Sequence, residues 1–79
     1  MMKELIEYIA RSLVDDPTQV NVRQHQRGPK IEVTLEVAKQ DMGRVIGRHG
    51  RVANAMRALL QVAAARDDKR AFLNISEPE

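Results

Sequence analysis

Met2, Leu5, Ile6, Ile9 and Leu13 recur at spacings of three and four, with Lys3, Glu4, Glu7 and Arg11 between them. That period lays an apolar stripe along one side of a helix and predicts a first helix over residues 2–14. Asp15-Asp16-Pro17 stops it. Val20 and Val22 then alternate with Asn21, Arg23 and His25, the period of a half-buried strand over 19–26. Arg27-Gly28-Pro29-Lys30 is turn chemistry. Beyond it Ile31, Val33, Leu35 and Val37 alternate strictly with Glu32, Thr34 and Glu36, the clearest strand of the chain. Two strands joined by so short a turn pair as an antiparallel hairpin.

The period returns to helical after Asp41, a residue type suited to capping a short helix that runs to Val45 or Ile46. Gly43 weakens that helix by about 1 kcal/mol relative to Ala. Gly47-Arg48-His49-Gly50 breaks it and predicts a tight loop. Val52, Ala55, Met56, Leu59, Leu60 and Ala63 then form the apolar stripe of a long helix over 51–66, ended by Asp67-Asp68. Ala71, Leu73 and Ile75 alternate with Phe72, Asn74 and Ser76 as a last strand, and residues 76–79 read as a frayed tail. Phe72 faces away from Ala71 and Leu73, and His25 falls on the outer side of its strand.

The predicted order is α-β-β-α-α-β. Two helices between the second and third strands make a crossover long enough to return the last strand parallel. Each strand offers one apolar face, so the expected class is α+β, a three-stranded mixed sheet with helices packed on one face. Residues 1–79 read as a single domain, without repeat, linker or low-complexity segment. A domain this small buries only about 60% of the surface its unfolded chain exposes, so its core is thin.

Composition narrows the chemistry. Cys and Trp are absent and Tyr8 and Phe72 are the only aromatics, which removes thiolate metal sites and rows of stacked aromatic platforms. No apolar run approaches the ~18 residues of a membrane span. Glu4 and Glu7 interrupt what would be the core of a secretory signal. A cytoplasmic protein without membrane insertion is expected. The formal net charge is only +2, but Arg44, Arg48, Arg51, Arg57, Arg66 and His49 fall within residues 42–66, where no acid stands. A confined cationic block on a near-neutral chain points to an anion-binding surface.

That block centres on Val45-Ile46-Gly47-Arg48-His49-Gly50-Arg51-Val52. Two glycines let backbone approach a ligand closely. Gly50 and Arg51 lead into the N-terminus of the long helix, whose first N–H groups lack intrahelical partners and suit phosphate. Arg48, His49 and Arg51 add charge beside them, Arg44 reaches in from the preceding helix, and Arg57 extends the track. Ile46 and Val52 can support base faces where aromatics are missing. Such a site grips a sugar-phosphate backbone and leaves bases free in an adjoining groove, which fits a single strand. The same glycines also serve an ordinary helix–helix turn with solvated charges. No H-E-x-x-H, Walker loop or serine elbow is present, and Val45 stands where the dinucleotide fingerprint requires glycine, so no catalytic, metal or cofactor site is read.

The order α-β-β-α-α-β, with Val45-Ile46-Gly47-x-x-Gly50 between paired helices, resembles a type II KH domain. The pattern Gly43-Arg44-Val45-Ile46-Gly47 followed by Ala55-x-Arg57-x-Leu59-Leu60 is most similar to the small stand-alone bacterial KH proteins. The resemblance covers nearly the whole chain. It implies a G-x-x-G loop that clamps about four nucleotides of a single RNA strand. It further implies RNA chaperoning in the cytoplasm, self-association as a homodimer, pairing with a second KH protein, and links to cell-wall synthesis, cell elongation and division. Many KH loops carry Lys in the variable pair, whereas this loop has Arg48-His49. Arg keeps the charge and adds a planar fork. If His49 touches phosphate, its protonated form should bind better, so affinity should weaken as pH rises. The alternative reading is a protein-interaction or dimerisation module with weak or no RNA binding.

Overall fold

The computed structural model describes residues 2–78 and places six principal elements along them. Helix α1 runs Met2–Leu13, strands β1 and β2 run Asn21–Arg27 and Lys30–Glu36, helices α2 and α3 run Met42–Ile46 and Arg51–Ala65, and strand β3 runs Arg70–Ser76. Short 3₁₀ turns at Pro17–Gln19, Lys39–Asp41 and Arg48–Gly50 join them. The sheet order is β1-β2-β3, with β1 antiparallel and β3 parallel to β2. This is the element order and mixed sheet of a type II KH domain, as the periodicity predicted.

Strict alternation explains the centre of the sheet. Ile31, Val33 and Leu35 of β2 are buried, and Ala71 and Leu73 of β3 pair beside Ile31 and Val33 on the same face. Against that face lie Met2, Ile6 and Ala10 of α1, spaced by four, and Ala53, Met56, Leu60 and Ala64 of α3. Full burial of a side chain such as Leu60 contributes about 1.5–3 kcal/mol. The opposite face carries Arg23, His25, Lys30, Glu32, Arg70, Phe72 and Asn74, and no helix covers it. Phe72 and His25 therefore lie outward, as expected.

Four local expectations are corrected. The buried side of α3 is turned by about one position. Ala55 and Leu59 of the predicted stripe are exposed, whereas Ala53 and Ala64 are buried. Small and apolar residues occupy nearly the whole circumference of this helix, so period alone does not select the side the sheet takes. Asp41 precedes α2 but makes no side-chain cap bond to it. Its fully buried carboxylate instead accepts the N–H groups of Asp15 at 3.0 Å and Asp16 at 3.1 Å, tying the end of α1 to the start of α2. Gln19 lies in a 3₁₀ turn, so β1 starts later than predicted. Ser76 belongs to β3 and not to a tail, since its carbonyl accepts Val37 N–H at 3.2 Å, while Glu79 lies outside the described residues.

The end of α3 has a specific chemistry. Lys69 N–H donates to Ala64 O at 3.0 Å and Asp68 N–H to Ala65 O at 3.1 Å, with Asp68 at φ +55°. That is a Schellman ending with Asp in the left-handed position glycine usually takes.

Candidate nucleic-acid interface

The loop between α2 and α3 is defined by three departures from right-handed backbone within four residues. Gly47 has φ +79° and ψ +171°, His49 has φ +57° and ψ +25°, and Gly50 has φ +75° and ψ +14°. The Gly47 conformation is open essentially to glycine alone. A Cβ there would sit 2.5 Å from Val52 Cγ2 and 2.9 Å from the Val52 backbone N. Val52, half-buried against the core, is thus the wedge on which the loop turns. Gly50 has only Asn54 Nδ2 near its missing Cβ, at 3.7 Å, so its requirement is one of backbone conformation. His49 is a residue type that tolerates the left-handed region better than most.

The turn holds itself with backbone bonds. Gly47 N–H donates to Gly43 O at 2.9 Å, Gly50 N–H to Gly47 O at 3.1 Å, and Arg51 N–H to Arg48 O. Successive amides in such a left-handed turn form a concavity that suits an anion, and here they adjoin the N-terminus of a fifteen-residue helix. Arg48, His49 and Arg51 are all exposed there, and none is in an ion pair among the described residues. Ile46, at the end of α2, is 36% exposed beside them.

Two of the predicted residues do different work. Arg44 is not brought to the loop as a free cation. Its guanidinium lies 3.0 Å from Asp15 Oδ2 and 3.5 Å from Asp41 Oδ1, so it locks the α1–α2 junction. Arg57 points across to the sheet edge, donating from Nη2 to Leu73 O at 3.2 Å and from Nη1 to Asn54 Oδ1 at 3.3 Å. Gln61, one turn further along α3, donates to Ala71 O at 2.6 Å. Sequence reading passed over Gln61. The available signal was its spacing of four from Arg57, which puts both on one side of α3. Together they satisfy successive carbonyls along the outer edge of β3, so polar side chains bridge the seam between α3 and β3.

No helix among the described residues is long and apolar enough to cross a membrane, and no group of three or more His, Cys, Asp or Glu side chains among them is placed to hold a metal.

Comparisons with known proteins agree with this fold. The family profile described as "KhpA/KhpB, KH domain" matches residues 3–75. The RNA-binding protein KhpA of Clostridium acetobutylicum is 45% identical over 74 residues, spanning 94% of this chain and 99% of that one. The RNA-binding protein KhpA of Treponema pallidum is 47% identical over 76 residues, covering 95% and 94% respectively. Among solved structures, Era in complex with MgGDPNP and nucleotides 1506-1542 of 16S ribosomal RNA superposes with a TM-score of 0.55 at 15% identity. That likeness covers 96% of this chain and 29% of the other, and it speaks to the fold. The chain belongs to the KhpA/KhpB KH domain family.

Proposed function

We propose that this protein binds single-stranded RNA without catalysing a reaction on it. The Gly47–Gly50 loop and the N-terminus of α3 hold backbone phosphates, and Arg48, His49 and Arg51 supply the charge. Bases lie along the α3–β3 seam, with Ile46 and Val52 as apolar support and Arg57 further along the track. Arg44 contributes by fixing α2 rather than by contact. The observation that carries this reading is the left-handed loop at the N-terminus of α3 with exposed, unpaired cations, in a chain whose relatives are named RNA-binding proteins. On the family resemblance the binding serves an RNA chaperone or post-transcriptional regulator in the cytoplasm, with a role in cell-wall homeostasis and cell elongation.

The test is titration of a short oligouridine at several salt concentrations. The logarithm of affinity should fall with that of salt by about 0.7 per phosphate neutralised. Arg48→Asp with His49→Asp should abolish most binding while leaving the far-UV circular dichroism unchanged. Parent-like affinity in that double variant overturns the loop assignment.

A second activity is favoured by a specific observation. Leu59 is 47% and Val62 62% exposed on α3, and with Met2 and Ile31 they line a groove of about 520 Å³. This is the surface for a homodimer or for a KhpB (Jag or EloR)-like KH protein. Val62→Asp should convert a sedimenting dimer to monomer and leave the fold intact. A dimer that persists in this variant removes the surface from consideration, and a stable dimer indifferent to RNA at low salt favours a purely protein-binding module.

A further inference from the structure

The uncovered face of the sheet has an uneven charge pattern. Register sets Arg27, Lys30 and Arg70 side by side on one rung across all three strands. Neighbouring strands lie about 4.8 Å apart, so three cations crowd within ~10 Å. Like charges directly opposite one another on a sheet are destabilising. The next rung sets His25, Glu32 and Phe72 in a row, and Phe72 is 42% exposed with Lys30 Nζ 5.2 Å from its ring centroid. Both carboxylates of this face are already committed, Glu32 to Lys30 at 3.1 Å and Glu36 to Arg23 at 2.8 Å. The guanidinium groups of Arg27 and Arg70 have no ion pair among the described residues. The fold keeps a row of three cations beside an exposed aromatic ring, and only Lys30 of the row is engaged, by Glu32 and by that ring.

We infer that this face, at its hairpin end, is a second contact for single-stranded RNA, separate from the glycine loop. Arg27 and Arg70 engage phosphates, Lys30 joins them, and Phe72 receives a base on its ring. The inference rests on the RNA-binding reading above and adds a surface to it. A nucleotide is the occupant this chemistry selects, because a planar ring next to a row of cations serves its two halves at once, base by stacking and phosphate by charge. An acidic peptide would use the cations and leave the ring idle.

Position supports the same occupant. Strand β3 is an edge strand antiparallel to α3, so the seam that starts at the loop ends where Arg70 begins β3. Gln61 at Ala71 marks the last rung of that seam, and Arg70 is the next residue, on the other face. A strand leaving the seam there rounds the sheet edge onto the cationic rung without crossing another element. One chain then grips a longer RNA at two places.

The test compares oligouridines of about four and about sixteen nucleotides, the first filling the loop and seam alone. The proteins are the parent, Arg27→Gln with Arg70→Gln, Phe72→Ala, and the loop variant Arg48→Asp with His49→Asp. The arginine double variant should bind the long oligomer about tenfold more weakly than the parent, with a salt slope shallower by about 1.4, and bind the short one as the parent does. Phe72→Ala should weaken the long oligomer with the salt slope preserved. If the arginine variant binds the long oligomer like the parent and with the same slope, the inference is overturned and the face is left to an acidic protein partner. Equal weakening of short and long oligomers also overturns it, since that is a general field and not a second contact. The loop variant keeps the two readings apart. Parent-like binding of the short oligomer there sinks the loop assignment, while selective loss of the long one in the sheet variants still supports this face.

Discussion

Replacement of Gly47 by alanine tests whether the loop is built as described, because two separate penalties meet at that residue. The first is conformational. At φ +79° and ψ +171° the backbone is in a region that a residue with a Cβ occupies at a cost of about 1–3 kcal/mol. The second is steric. The new Cβ would lie 2.5 Å from Val52 Cγ2, which a rotamer change can relieve, and 2.9 Å from the Val52 backbone N, which it cannot without moving the start of α3. Gly50→Ala is the internal control. Its left-handed backbone costs alanine about 1–2 kcal/mol, but its Cβ enters open space, with Asn54 Nδ2 at an ordinary 3.7 Å.

The expected loss is therefore about 3 kcal/mol for Gly47→Ala and about 1 kcal/mol for Gly50→Ala. A domain of this size has only about 4–12 kcal/mol in total, and each kcal/mol shifts its Tm by about 4–8 °C. Urea unfolding followed by circular dichroism resolves the difference, provided the m-value is unchanged. Val52→Ala in the Gly47→Ala background should recover only part of the excess, because it removes Cγ2 and leaves the backbone N. Equal losses for the two glycine variants, in stability and in RNA affinity alike, would refute the wedge between Gly47 and Val52.

Other outcomes follow from the same coordinates. Asp41→Asn puts an amide where a buried carboxylate accepts two N–H groups and faces Arg44, and should lower stability by about 2–4 kcal/mol in urea titrations. Gln61→Ala leaves the Ala71 carbonyl without its 2.6 Å donor at the seam, which should cost about 1 kcal/mol by the same assay. Asp68→Gly relieves a left-handed residue at the Schellman ending and should raise stability by about 0.5–1 kcal/mol, whereas Asp68→Ala should not. Arg70→Gln should stabilise the protein by a few tenths of a kcal/mol at low salt, and the gain should vanish when salt screens the rung.

The parts of the fold that were legible in sequence are those where one physical demand acts alone. Strand β2 is central, and its inward residues are apolar and its outward residues polar without exception, so alternation identified it. Strand β1 is an edge and buries only Val22. Gln24 and Gln26 lie on its helix side near the open groove, which blurs its period and its start. The face of α3 was misjudged because Leu59 and Val62 are as apolar as the residues it buries. Sequence records that a surface is hydrophobic, and only packing records what covers it. The loop was legible because glycine at Gly47 and Gly50 answers a backbone demand local to four residues. Arg44 was not, because its partner Asp15 lies 29 residues away, outside the acid-free segment that made the block look free.

That distinction bears on how the cations should be weighed. A tally along residues 42–66 gives every arginine the same standing, yet the fold sorts them by what the charge does. Arg44 is neutralised by carboxylates and is no free charge for phosphate, whereas Arg57 is held against a strand edge by neutral acceptors and keeps its charge. Arg48 and Arg51 are exposed at the loop and stand in no ion pair among the described residues. The same sorting promotes Arg27 and Arg70, which lie outside the block and drew no notice in the sequence. They stand on a rung where mutual repulsion opposes folding, and Glu32 answers only the Lys30 between them. In the loop, likewise, His49 occupies a left-handed conformation that glycine would hold more cheaply. Local features that oppose stability, when they present uncommitted charge to solvent, are better guides to a ligand than the count of charges. Here they mark two separated places on the molecule that suit the same polyanion.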